Sequence, residues 1–211
     1  MDLLISATDP FLKALLENDF LQRALFTGLL IGFVTPLIGS FVVIKRLSFI
    51  ADTLSHFSLA GLSIGTYLIT VLGFVWLADE LYLAMIFSII GAFIIEILRG
   101  YYQNYKEISM PIVMSMGTAL SGLFISLSGG ISLKLYNYLF GTILTVNENF
   151  LTLIFIATII VVTLVFVFFK QMVMISFDET YARLLGIKVR RFQFMSTLIL
   201  AVVVSISLAT V

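Results

Sequence analysis

The sequence predicts an all-α protein that crosses a membrane several times as a polytopic helix bundle. Three observations predict it. Of 211 residues, 61% are hydrophobic and only 11% charged, with a mean hydropathy of +1.15. A soluble domain carries about a quarter charged residues, so the solvent for this chain is lipid. Six stretches approach the roughly 20 apolar residues that a spanning helix needs: 21–44, 50–74, 81–98, 110–129, 150–169 and 192–211. The basic residues also alternate between the connecting segments.

With the N-terminus outside, the inner segments hold Lys45, Arg46, Arg99, Lys106, Lys170, Arg183, Lys188, Arg190 and Arg191. The outer ones hold only Lys13, Arg23 and Lys134. That asymmetry sets the orientation. Asp2, Asp9, Glu17, Asp19, Asp79, Glu80 and Glu148 collect outside, and an acidic mouth attracts cations. Zero net charge argues against a nucleic-acid partner, and the lack of cysteine excludes disulfides and thiolate metal sites. Residues 1–20 are too acidic for a signal peptide. Phe11, Leu15, Leu16 and Phe20 suit them to lie on the outer interface, which leaves 21–211 as the transmembrane domain.

The first span contains Pro36, which kinks it, and Gly28–Gly32, whose spacing allows close helix packing. Gly61–Gly65 repeats that spacing in the second span. The second span also carries Asp52 and His56, the only histidine, one helical turn apart on one face. Ionisable groups in hydrocarbon are costly and usually face a cavity, a partner or a substrate path. Carboxylate plus imidazole is half of a common divalent-metal site. The plainer alternative makes Asp52 a helix cap and leaves His56 bonding a neighbouring helix. In the third span, Glu96 and Arg99 suggest an interfacial ion pair with a snorkelling arginine.

Gly129-Gly130 ends the fourth span. Leu133–Phe140 then fits a re-entrant segment or an amphipathic surface helix equally well. Between the last two spans, Ser176 and Glu179 fit a capping box and Gly186 a terminator. A short inner helix near 177–185 would show Phe177, Tyr181 and Leu184 or Leu185 on one face, suited to a groove on another protein or to the membrane surface. No phosphate-binding loop, H-E-x-x-H helix or G-x-S-x-G elbow occurs. The chain is therefore not expected to be an enzyme.

Four segments in order resemble the membrane permeases of bacterial ABC importers for zinc and manganese. They are Pro36–Val43, Asp52–His56 with Ser58–Gly61, Tyr138–Leu144, and Ser176–Gly186. The resemblance implies a cobalamin-importer-like, type II permease fold in the cell membrane. It implies that Asp52 and His56 ligate passing zinc or manganese, with no permanently bound cofactor. It also implies that the segment holding Ser176, Asp178, Glu179, Ala182 and Gly186 contacts an ATPase subunit. The expected partners are two ATPase subunits, an extracytoplasmic metal-binding protein, a second permease copy and membrane lipid. Members of that family are usually longer, so further helices and further metal ligands are expected beyond Val211. The competing function is a permease for an iron chelate or vitamin, with Asp52 and His56 structural. A membrane enzyme or scaffold is the third reading.

Overall fold

The computed structural model describes residues 18–45, 47–74, 80–102, 105–140 and 148–210. Lys13, Arg46, the amphipathic face of residues 1–17, Asp79 and Gly141–Leu144 lie outside them. Among the described residues there are helices and no strands. The long helices are α1 (Asp19–Ile44), α2 (Phe49–Thr70), α3 (Glu80–Tyr101) and α4 (Ser109–Leu127), the last entered through a 3₁₀ turn at Lys106–Ile108. Then follow the short α5 (Leu133–Phe140), the long α6 (Glu148–Phe177), the short α7 (Glu179–Leu184) and α8 (Val189–Thr210). Five of these helices are long and apolar enough to cross a membrane: α1, α3, α4 with its entry turn, α6 and α8. This is the multi-pass membrane protein that the composition required.

The sixth expected span, α2, has the length but is more polar. Its position explains how that is tolerated. It packs against α3, α4 and α8 and is the middle of the bundle. Ile50, Leu54, Phe57, Ala60 and Leu62 are almost fully buried on it. So are Thr53, Ser58, Ser63 and Thr66, and each hydroxyl donates to a backbone carbonyl. A buried hydroxyl without a partner is costly; these four have partners, so an interior helix can hold them. By contrast, α6 is the most peripheral span, with only 17% of its most apolar window buried and Phe166 and Val167 facing outward. It also runs eight residues past the expected end at 169, so Lys170 lies within a helix and not in a loop.

The glycine pairs divide. Gly61 and Gly65 seat α2 against α3: a Cβ on Gly61 would lie 2.5 Å from the Leu83 carbonyl oxygen. Gly28 and Gly32 have nothing within 4 Å of such a Cβ, so the packing expected of them is not made among the described residues. Helix α5 folds back onto the bundle. Leu135 is buried against Leu62 and Ala84, and the Tyr138 hydroxyl donates to Ser58 Oγ at 2.8 Å. Ser58 lies near the middle of α2, so α5 meets α2 halfway along its length, while Leu133, Tyr136 and Leu139 stay exposed.

Candidate functional site

Ser48 begins α2, without a side-chain capping bond, and Asp52 sits in the first turn after it. Asp52 is therefore not the cap. Its Oδ1 lies 3.8 Å from His56 Nε2, as the spacing of four demands. The Asp52 side chain is 56% exposed and that of His56 31%. Both project along the side of α2 next to α4. They are not sealed in a core, and among the described residues no lysine or arginine pairs with them.

What sequence reasoning missed is Thr118 on α4. Its Oγ1 lies 3.3 Å from His56 Nδ1. The same hydroxyl donates its only hydrogen to the Met114 carbonyl at 2.9 Å. Where that hydrogen goes to Met114, the hydroxyl accepts from Nδ1 and the matching neutral tautomer keeps its lone pair on Nε2; the roles follow the tautomer. That lone pair is on the ring edge nearest Asp52. The result is an oriented nitrogen beside a carboxylate oxygen, with a second-helix hydroxyl at the other ring nitrogen, as at many metal-binding histidines. The plainer reading was right that His56 bonds a neighbouring helix. It bonds through one nitrogen and leaves the other available. Among the described residues no third His, Asp or Glu joins the pair.

The seam that holds this geometry is close. A Cβ on Gly117 would come within 3.0 Å of the His56 carbonyl carbon and the Phe57 nitrogen. Thr53, next to Asp52, shares its hydroxyl hydrogen between the Phe49 carbonyl at 2.8 Å and the Met110 carbonyl at 3.3 Å across the same seam. No sequence signal marks Thr118 or Gly117, because their partner lies some sixty residues away.

The inner end of the bundle, where α2 and α4 begin, gathers the expected inner-side charges. Glu96 and Arg99 pair at 3.2 Å, but they are 9% and 7% exposed, so the arginine is buried and does not snorkel. Packing of α3 against α8 covers them. A polar cavity of about 380 Å³ opens beside them, lined by Lys106, Arg183, Arg190 and Gln193. Lys45, just past α1, has its ammonium pKa lowered by burial and then by the Arg99 guanidinium, with Glu179 and Glu96 opposing.

The inner helix exists, with a shifted start. Asp178 caps it, accepting from the Thr180 and Tyr181 amides at 2.8 and 2.9 Å. Ser176 does not; it belongs to α6 and donates to the Met172 carbonyl. Glu179 reaches instead to Lys106, Arg183 and Gln193. Gly186, at φ +80°, ends the helix. Its amide bonds the Arg183 carbonyl and that of Ile187 the Ala182 carbonyl, a Schellman ending. Ala182 is fully buried and anchors the helix against Ile175 and Val189. Phe177, Tyr181, Leu184 and Leu185 stay exposed.

The bundle combines a polar central helix, a short helix folded back onto it and a capped inner helix, an arrangement suited to a transport permease. Residues 17–211 match the ABC 3 transport family, and the chain belongs to it. It is 32% identical to the manganese transport system membrane protein MntC of Listeria innocua, over 95% of this chain and 69% of that protein. It is 26% identical to the high-affinity zinc uptake system membrane protein ZnuB of Haemophilus influenzae, over 90% of this chain and 70% of that one. Among solved structures it resembles PsaBC from Streptococcus pneumoniae in complex with Fab. There the TM-score is 0.75 at 27% identity, covering 95% of this chain and 69% of that one.

Proposed function

We propose that this chain is the permease subunit of an ATP-driven importer for a bare divalent cation, zinc or manganese. The observation that carries this is the oriented pair: Asp52 Oδ1 and His56 Nε2, 3.8 Å apart, with Thr118 holding the ring. In an ABC 3 chain, such a pair replaces part of the ion's hydration shell while leaving it free to move on. Coordination needs the neutral imidazole, so acidification weakens it. Imidazole suits zinc and carboxylate suits manganese, and one of each serves both.

Half-exposed ionisable side chains are costly in a bilayer unless something covers them. In this reading a second copy of the permease closes the corridor and adds ligands. An ATPase subunit seats on the exposed face of α7, with Phe177, Tyr181 and Leu184, and an extracytoplasmic metal-binding protein delivers the ion. ATP hydrolysis stays in the partner and shifts the bundle between outward- and inward-open packings.

The test is uptake of radiolabelled manganese and zinc in cells carrying the complete importer. Asp52→Ala and His56→Ala should each abolish it while the chain still inserts. Full uptake by both variants overturns the ligand assignment. Uptake of an iron chelate or vitamin, indifferent to both substitutions, would favour the competing substrate.

A further inference from the structure

We propose that Glu179 is a positioning residue that fastens α7 to the inner end of α4, so that displacement of α7 reaches the Asp52–His56 pair. The inference rests on the transport reading above and assigns the linkage inside it. One carboxylate joins three elements. Its Oε2 lies 3.6 Å from Lys106 Nζ, at the turn entering α4, and 3.7 Å from Arg183 Nη2 on α7 itself. Its Oε1 accepts from Gln193 Nε2 on α8, and Gln193 is buried. An isolated exposed ion pair holds little. This carboxylate meets two cations and a buried amide at once, so its contacts tie three elements together.

The exposed face of α7 is made by Tyr181, Leu184 and the preceding Phe177, whereas Glu179 reaches back to α4 and α8. The helix thus has an outward side for a partner and an inward attachment to the bundle. From the attachment, α4 leads to the pair. Ser109 Oγ donates to the Lys106 carbonyl at 2.6 Å, joining the entry turn to the helix. Met110 then accepts from Thr53, Gly117 abuts the His56 backbone, and Thr118 meets the His56 ring. These contacts run along one seam. A closely packed seam shifts as a unit more readily than it deforms.

A merely stabilising Glu179 would act on α7 alone, and the experiment separates the two roles. The importer, reconstituted with its ATPase subunits, is assayed for ATP hydrolysis and manganese uptake. Glu179→Ala should retain the complex and most of the hydrolysis while ions moved per ATP fall by between about twofold and thirtyfold. Lys106→Glu should do the same. The double variant Glu179→Lys/Lys106→Glu should recover part of the loss shown by Glu179→Lys alone, in which the new lysine faces both Lys106 and Arg183. Hydrolysis and uptake falling together, an unchanged ratio, or a double variant no better than Glu179→Lys would overturn the proposal.

A second measurement does not depend on the cargo. These 211 residues hold no cysteine, so nitroxide labels on Leu184→Cys and Met116→Cys can be placed to report the α7–α4 distance. Both positions are exposed. Glu179→Ala should broaden that distance distribution, and an unbroadened one counts against the fastening. Absent manganese and zinc uptake by the wild type, with the distance still dependent on Glu179, would sink the transport reading alone.

Discussion

Gly117 lies flat against the backbone of His56: a Cβ there would stand 3.0 Å from the His56 carbonyl carbon and 3.1 Å from its oxygen. The neighbour is helix backbone, which cannot rotate away. The hydroxyl that meets the imidazole is on the next residue, Thr118, so seam width and ring orientation are set together. Gly117→Ala should push α4 from α2 and cost about 1–3 kcal/mol, the range for overpacking a filled interior. Thermal unfolding in detergent reads the stability. Metal uptake should fall further than stability alone accounts for, because Thr118 moves with the helix. An alanine variant with wild-type melting and uptake would show that the seam is not rigid.

Thr118 separates orientation from packing. Thr118→Val keeps the shape and removes the oxygen that accepts from Nδ1. The ring then loses that partner, and metal affinity should drop about 10- to 100-fold, as for lost outer-shell partners elsewhere. Thr118→Ser keeps the oxygen and should stay near wild type. Manganese or zinc binding by calorimetry on the purified importer compares the three. Equal affinities would mean that the ring is oriented by something else.

Much of the fold was legible because its elements are local. Five of the six expected spans coincide with the apolar helices, since apolar length and basic flanks are read directly from the chain. The Asp52–His56 proximity was legible too, because a spacing of four fixes it. What was not legible depends on distant partners. Glu96 and Arg99 pair as their spacing requires, but their burial comes from α8, about a hundred residues on. Ser176 and Asp178 are both good capping residues, and the extra two turns of α6 decide for Asp178. Thr118 is an ordinary helical threonine until α2 is beside it.

The two glycine pairs give a matched comparison, since spacing alone made them equivalent. Gly61→Ala drives a methyl to 2.5 Å from the Leu83 oxygen and 2.6 Å from the Phe87 Cβ. Helix α3 must retreat, at about 1–3 kcal/mol. Gly32→Ala meets open space and gains up to about 1 kcal/mol of helix propensity. Melting temperatures should therefore move in opposite directions. If both variants are destabilised alike, the face of α1 bearing Gly32 is packed against another body.

Lys45 ties the inner end of the bundle to pH. Burial, then the Arg99 guanidinium, lowers its pKa, and the opposing Glu179 and Glu96 do not restore it. The folded state thus holds this proton less tightly than the unfolded chain does. Below the lowered folded value, where both states are protonated, the buried charge disfavours folding. That penalty is relieved as pH rises through the lowered folded value toward the ordinary lysine value of 10.5. Lys45→Met keeps the length and removes the charge. The variant should melt higher than wild type at neutral pH, and its advantage should shrink as the pH is raised. A variant that melts lower at neutral pH would mean that the two carboxylates outweigh burial, and that Lys45 holds this end of the bundle together by charge.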